Sequence, residues 1–168
     1  MEIKEITSIG NREAALASLL TDCIESGASV GFLTPVDQAE ISAYWQGVEQ
    51  ELQSGARRLF VAIEDEQILG AVQLSLCPKA NGSHRGEVEK LMVKTTARGR
   101  GISKKLMALM EQVSQELGLS LLVLDTRLGD VASALYRNIG YTEAGQIPDF
   151  ARSSSGQLEA TVYFYKQL

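Results

Sequence analysis

Apolar residues recur along this chain with two different spacings, and the two spacings predict different secondary structure. In four segments they return every three to four residues, which is the repeat of a helix with one buried face. In seven others they alternate with polar residues or form a short unbroken run, as strands do. The predicted helices are residues 13–25, 38–54, 102–117 and 130–139, and the predicted strands are residues 1–7, 59–64, 68–76, 88–93, 121–124, 141–147 and 160–165.

The connections between the predicted strands indicate how they pair. Asp65 and Glu66 form a tight turn, and Asn81 with Gly82 is a strong hairpin signal, so the first four strands are expected to form a meander. The strands at 88–93 and 121–124 are separated by a helix, and such a connection joins parallel strands by a right-handed crossover. The sequence therefore predicts a mixed α/β sheet, mostly antiparallel with one parallel pair, with helices on both faces.

Individual residues predict where some elements begin and which side chains they bury. Asn11 and Asp37 are good N-caps for the first two helices. In the third strand Gln73 alternates with apolar residues, so one face of that strand is expected to be polar. In the last helix, Val131, Leu135 and Ile139 form the predicted inward face.

Composition limits the class of protein. With 168 residues, 45% apolar and 22% charged, the chain is expected to form one domain, residues 1–168. A net charge of −5 argues against nucleic acid or an anionic membrane as the partner. We see no basic-then-apolar leader at the N-terminus, so a cytoplasmic location is expected. Cys23 and Cys77 lack metal-ligand spacing, and no metal site is predicted.

The turn at residues 98–101, Arg-Gly-Arg-Gly, lies between a predicted strand and a predicted helix. Free N–H groups and the helix dipole make such a helix start an anion site, and arginine forks match phosphate oxygens. The P-loop pattern fails after Gly101, and the dinucleotide fingerprint fails because Lys104 occupies its third glycine position. We therefore expect the turn to bind the phosphates of a nucleotide-like cofactor. The alternative, a flexible basic or RNA-binding tract, suits an acidic chain poorly.

Two motifs resemble those of the GNAT superfamily of acetyl-CoA-dependent N-acetyltransferases. Arg98, Gly101 and Ser103 match [Q/R]-x-x-G-x-[G/A], with serine as a small-for-small departure, and residues 132–141 match A-x-x-[LF]-Y-x-x-x-G-[FY]. The predicted order of elements is also that of the family along the whole chain. Where the family often has an asparagine that contacts pantetheine, this chain has Gly129.

The resemblance implies a GNAT-like fold, acetyl-CoA as cofactor and coenzyme A as product. It also implies that the strand before the turn pairs with pantetheine and that the amides of the turn bind the pyrophosphate. The implied cofactor-binding residues are Leu91, Met92, Val93, Arg98, Gly99, Arg100, Gly101, Ile102 and Ser103.

A closer resemblance is to the tabtoxin-resistance acetyltransferases of bacteria. The shared sequence segments include residues 27–32 (Gly-Ala-Ser-Val-Gly-Phe), 90–93 (Lys-Leu-Met-Val) and 124–126 (Leu-Asp-Thr). This implies a small amino-acid-like amine as substrate, with toxin or antibiotic resistance as the setting. From composition alone, the loop at 27–32 is either a wall on the substrate side or a plain connector.

Acetyl transfer to an amine needs a proton acceptor, donors for the thioester carbonyl and a proton for the leaving thiolate. Tyr136 matches the family tyrosine that faces the coenzyme sulfur, and it is expected to donate that proton. N–H groups near Met92 or Val93 can meet the carbonyl. Glu87 and Asp125 are the candidates for binding or deprotonating the amine, since strand ends gather ligands in open α/β sheets. His84, the lone histidine, is expected to be a solvated turn residue.

Two other functions are compatible with the same residues. A protein N-terminal or lysine acetyltransferase would have the same cofactor site but an open groove. A non-catalytic acyl-CoA sensor would bind coenzyme A without turnover, and Gly129 favours it slightly whereas Tyr136 does not. A homodimer is the expected assembly, because GNAT proteins are often dimers.

Overall fold

Seven strands in one mixed sheet form the centre of the protein. The computed structural model describes residues 1–168. The strands are β1 (Glu2–Ile6), β2 (Arg57–Glu64), β3 (Gln67–Leu76), β4 (Arg85–Val93), β5 (Leu121–Arg127), β6 (Thr142–Arg152) and β7 (Leu158–Gln167). The helices are α1 (Glu13–Glu25), α2 (Gln38–Ser54), α3 (Ile102–Glu116) and α4 (Ala132–Asn138). The strand order β1-β2-β3-β4-β5-β7-β6 confirms the predicted meander and the mixed α/β fold.

The parallel pair β4 and β5 separates soon after it forms. Its register joins Arg85 to Leu121, Gly86 to Leu122 and Glu87 to Val123, and then ends. Strand β5 continues in antiparallel pairing with β7 up to Arg127, while β4 follows β3. Beyond Glu87 the facing edges of β4 and β5 therefore have unpaired main-chain groups, and a gap opens between them.

Helices cover both faces of the sheet, as the pattern predicted. Helices α1 and α2 pack on one face in a cluster of 16 buried apolar residues. Helices α3 and α4 pack on the other in a cluster of 18. Strand β2 contributes to both clusters, because successive side chains of a strand point to opposite faces. None of the four helices has the length and apolarity that crossing a bilayer would require.

The prediction that β3 has one buried and one polar face was wrong. Gln73 is completely buried, because α1 packs on that face of β3 and Tyr44 of α2 reaches over it. Its side chain hydrogen-bonds to Arg57 and to the hydroxyl of Tyr44. A central strand buried on both faces can retain a polar residue only where it finds such partners.

Local signals predicted some termini well and others badly. Asp37 caps α2 by accepting a hydrogen bond from Ala39 N at 2.9 Å. Asn11 does not cap α1, because it lies inside a short 3-10 helix that precedes it. Asn81 and Gly82 also lie in a 3-10 helix, within a longer connection between β3 and β4. A Cβ at Gly82 would lie 2.6 Å from the Cys77 sulfur, so this glycine serves close packing instead of a hairpin turn.

The inward face predicted for the last helix was wrong at Val131 and right at Leu135 and Ile139, which pack against the cluster of 18 buried residues. Val131 is 88% exposed, since α4 begins only at Ala132 and Val131 precedes its first turn. Ser133 and Tyr136 are the buried residues of α4.

Candidate active site

A cavity of about 450 Å³ opens where β4 and β5 separate. Its walls are the α1–α2 loop at 27–33, β4 at 87–91, the end of β5 with the start of α4, and the tip of the β6–β7 hairpin. The α1–α2 loop is therefore a wall and not a mere connector. More acidic than basic side chains line the cavity, which favours a cationic guest. The acidic residues are Glu87, Glu89, Asp125, Asp130 and Glu159, and the basic residues are Lys90, Arg127 and Arg152.

Glu87 and Asp125 face this cavity from the two diverging strands. Glu87 is the last residue of β4 to pair with β5, and its carboxylate makes no hydrogen bond within the protein. Desolvation, followed by the charges of Glu89 and Asp125, raises the pKa of Glu87. The carboxylate of Asp125 accepts a hydrogen bond of 2.7 Å from Thr161 Oγ1 on β7. The two carboxylates thus share one cavity, but only Glu87 has no partner.

Tyr136 reaches the cavity from α4. The residue is 6% exposed, and its ring packs at 5.8 Å from the rings of both Tyr141 and Phe164. Tyr136 lines the cavity, and its hydroxyl makes no hydrogen bond within the protein. Burial, followed by the charges of Asp130 and Asp125, raises the pKa of Tyr136, so the hydroxyl retains its proton at neutral pH.

The turn before α3 offers an array of free donors. Gly99 and Gly101 have φ angles of +78° and +73°, and Gly101 precedes α3 with no side-chain cap. The N–H groups from residue 99 to residue 104 have no acceptor within the protein. The turn does not itself line the cavity, but Arg98 donates to Ser26 Oγ at 3.0 Å, next to the cavity-lining Gly27. These donors have the geometry of a phosphate site at a helix start.

The sequence model of the acetyltransferase (GNAT) family matches residues 18–141. The chain belongs to the GNAT family. GNAT proteins use acetyl-CoA, and membership makes this chain an N-acetyltransferase.

Solved structures agree on this GNAT fold. Ribosomal-protein-alanine N-acetyltransferase from Brucella melitensis is 24% identical over 100% of both chains, with a TM-score of 0.84. A putative acetyltransferase from Salmonella typhimurium, solved with acetyl-CoA, is 17% identical over 100% of this chain and 95% of that one, with a TM-score of 0.79. A putative phosphinothricin N-acetyltransferase is 17% identical over 99% of each chain, with a TM-score of 0.79. At such identities the likeness shows a shared fold.

A bulge in β4 shapes the strand expected to hold the cofactor of this GNAT protein. Ala71 pairs with Met92, whereas Gln73 pairs with Glu89, so β4 has one extra residue between them. Lys90, within the bulge, has a φ of +52°. A bulge bends its strand and increases the local twist. Because β4 has no pairing with β5 beyond Glu87, its main-chain groups on that side are free for an extended ligand. The amide-bearing pantetheine arm of acetyl-CoA fits such an edge.

The two arginines of the turn are already engaged inside the protein. Arg98 contacts Ser26, and Arg100 Nη2 lies 2.8 and 3.0 Å from the carboxylate oxygens of Glu64. The main-chain donors of the turn are therefore freer to meet an anion than the guanidinium of Arg100. Gly129, at the position of the family's frequent asparagine, has a φ of +82° and open space around it.

Sequence reasoning missed a buried polar network behind the acidic wall. Arg57, 9% exposed, donates to Glu89 at 2.7 Å, to Glu51 at 2.6 Å and to Gln73 at 2.8 Å. Gln73 in turn donates to the Tyr44 hydroxyl at 3.0 Å, and desolvation raises the pKa of Tyr44 to about 12. Arg57 therefore holds Glu89 at the cavity as a neutralised carboxylate. The glutamine inside an apolar strand was the one signal of this network in the sequence.

The remaining candidates lie away from this site. His84 is exposed and does not line the cavity. Cys23 is a buried residue of α1 and Cys77 is half-buried after β3, and neither lines the cavity.

Proposed function

We propose that this GNAT enzyme acetylates the primary amine of a small molecule bound in the cavity between β4 and β5. The observation that carries the proposal is the cavity itself: about 450 Å³, bounded on four sides and richer in acids than in bases. Small-molecule sites have volumes of about 300–1,000 Å³. The charge excess favours an ammonium group, which is the resting form of most primary amines at neutral pH.

Asp125 and Glu87 have different roles toward the amine. Asp125, held by Thr161, binds the ammonium group through its fixed carboxylate. Glu87 accepts the proton, directly or through water, because its carboxylate is unpartnered and its raised pKa makes it a better base than an ordinary glutamate.

Tyr136 supplies the proton that the leaving group needs. Tyr136 lines the cavity, and its hydroxyl is protonated and unpartnered, so it can donate without first breaking a hydrogen bond within the protein. Neighbouring aromatic rings hold its own ring in place.

Acetyl-CoA, when bound, supplies the acetyl group as a thioester. The main chain of Leu91, Met92 and Val93 would hold its pantetheine arm, and N–H groups near Met92 or Val93 would donate to the thioester carbonyl. The turn from Arg98 to the first residues of α3, Ile102 and Ser103, would hold the phosphates. The free N–H array and the two left-handed glycines support this assignment.

The acceptor is proposed to be amino-acid-like, with a toxin or antibiotic as one possible target. The sequence segments shared with tabtoxin-resistance acetyltransferases support an amino-acid-like acceptor, and so does the likeness to a structure named a putative phosphinothricin N-acetyltransferase. We further propose that residues 1–168 act as one catalytic domain, in the cytoplasm, as a homodimer.

A peptide acceptor is the second candidate. It is favoured by the likeness to the ribosomal-protein-alanine N-acetyltransferase of Brucella melitensis. Against it, Arg127 Nη1 donates to the Gly27 carbonyl at 3.1 Å and so ties the α1–α2 loop to the end of β5. A peptide would need this side of the cavity to open.

The test is a coenzyme A release assay with amino acids, β-lactam amino acids, polyamines and peptides as acceptors. We expect turnover with small amines, confirmed by the mass of the acetylated product. Turnover with peptides alone would replace the proposal with the second candidate. Coenzyme A binding without turnover on any amine would indicate an acyl-CoA sensor instead.

A further inference from the structure

Three basic side chains line the cavity, and two of them already have partners. Arg127 contacts the Gly27 carbonyl at 3.1 Å and the Glu159 carboxylate at 3.5 Å. Arg152 donates to the Gly156 carbonyl at 3.0 Å. The ammonium of Lys90 makes neither a hydrogen bond nor an ion pair within the protein. Lys90 is thus the basic group that a ligand could engage without displacing an existing contact.

The surroundings of Lys90 hold its ammonium at one wall of the cavity. The β4 bulge re-aims its side chain, and Nζ lies 5.5 Å from the centre of the Tyr44 ring. Gly31 of the α1–α2 loop closes over it, since a Cβ there would lie 3.4 Å from Nζ. Tyr44 is itself fixed by Gln73 and by edge contact with Phe32 at 5.4 Å. These contacts hold the Tyr44 ring in place beside Lys90.

A partly buried ammonium without an anion is unfavourable unless a partner arrives. Burial lowers the pKa of Lys90, although Glu89 acts in the opposite direction. Glu89 does not serve as its partner, because Arg57 holds the Glu89 carboxylate at 2.7 Å. The missing anion is most simply the substrate's own.

We propose that Lys90 binds the carboxylate of the acceptor, so that this enzyme selects amino acids over amines that lack a carboxylate. The inference rests on the proposed function, and it adds the group that recognises the second charge of the substrate. Glu87 and Asp125 take the ammonium where β4 and β5 separate, and Lys90 takes the carboxylate beside Gly31 of the α1–α2 loop. A zwitterion then has a partner for each of its two charges among the residues that line the cavity.

The test compares acceptors that differ only in the carboxylate. The twenty common L-amino acids and their L-amino acid amides are assayed by coenzyme A release with the wild-type enzyme, Lys90→Met and Lys90→Arg. For the amino acids that the wild type acetylates, Lys90→Met should lower kcat/KM about 10- to 100-fold, as expected for loss of a charged hydrogen bond. For the matching amides the change should stay below about threefold. Lys90→Arg should restore most of the preference, since it keeps the charge.

Arg152→Met is the matched control, because Arg152 lines the same cavity but already has a carbonyl partner. It should leave the preference for acids unchanged. The wild-type preference for acid over amide does not depend on the folding of any variant, and its absence overturns the inference. Equal losses for acids and amides in Lys90→Met, or an acetyl group found on Lys90 by mass spectrometry, also overturn it.

The outcomes separate the two proposals. If the wild type acetylates polyamines or peptides but no amino acid, the role of Lys90 is wrong and acetyl transfer stands. If it acetylates no amine of any class, both the proposed function and the role of Lys90 are wrong.

Discussion

Gly70 in β3 lies where the sheet meets both parts of the expected cofactor site. A Cβ at this position would lie 2.9 Å from the Met92 carbonyl oxygen of β4. It would also lie 3.0 Å from Ile102 Cγ2 and 3.2 Å from Leu106 Cδ1, in the first turns of α3. The main-chain oxygen cannot rotate away as a side chain can, so Gly70→Ala must move β4, α3 or both.

The expected size of this effect follows from the crowding. Overpacking of a core costs about 1–3 kcal/mol. For a chain of this size each kcal/mol lowers Tm by about 2–4 °C, so Gly70→Ala should lose roughly 2–12 °C. Because Met92 and Ile102 both belong to the expected cofactor site, KM for acetyl-CoA should rise about tenfold, a fraction of the hundredfold that a 1 Å misplacement can cost.

The matched control is Gly47→Ala in α2. A Cβ at Gly47 would meet nothing within 4 Å, and alanine in a helix gains up to about 1 kcal/mol over glycine. Thermal unfolding and the acetyl-CoA dependence of coenzyme A release are measured for both variants. If Gly70→Ala matched the wild type in Tm and in KM, the inferred coupling between β3 and the cofactor strand would be wrong.

Four further predictions concern the cavity and the residues that support it. Tyr136→Phe should lower kcat at least about a hundredfold while KM for acetyl-CoA stays nearly constant, and unchanged turnover would remove Tyr136 from the mechanism. Glu87→Gln and Asp125→Asn should impair amine binding or flatten the rise in rate with pH, and wild-type pH–rate profiles in both variants would exclude these roles. The pKa of Glu87 is higher in the folded state than in the unfolded chain, where it is about 4.3. Ionised Glu87 therefore destabilises the folded protein at pH values above the folded-state pKa, whereas below about pH 4.3 the carboxyl is protonated in both states and has no such effect. Glu87→Gln should therefore raise Tm at pH 8, and the difference should vanish near pH 4. Arg57→Met should lower the free energy of unfolding by about 3–5 kcal/mol, because it leaves buried partners unpaired. Arg58→Met is the control: its ion pair is partly exposed, so its loss should cost about 1 kcal/mol or less. Equal denaturation midpoints for the two variants would contradict the role of the network.

Features that depend on nearby residues were predictable from the sequence. Asp65 and Glu66 adopt left-handed φ angles of 49° and 64° in the two-residue turn between β2 and β3, as the length of the turn requires. Asp37 caps its helix through a contact two residues away. The parallel pairing of β4 with β5 follows from a helix-length connection, and so does the placing of Glu87 and Asp125 on facing strands.

Features that depend on distant partners were not predictable in this way. Gln73 indicated a polar face, yet the residues that bury it, Arg57 and Tyr44, lie 16 and 29 positions away in the chain. Arg100 was expected to face a phosphate, but Glu64, 36 positions away, contacts its guanidinium. Lys90 gave no sign in the sequence, because its setting depends on a bulge that only the pairing of β3 with β4 reveals.

The alternation of β2 between the two clusters has a consequence for how the molecule comes apart. Phe60 and Ala62 belong to the cluster under α3, and their chain neighbours Leu59 and Val61 belong to the cluster under α1 and α2. Neither helical layer can detach without exposing a strand on which the other layer also rests. The two halves should thus melt in a single cooperative transition, in which calorimetric and van't Hoff enthalpies agree.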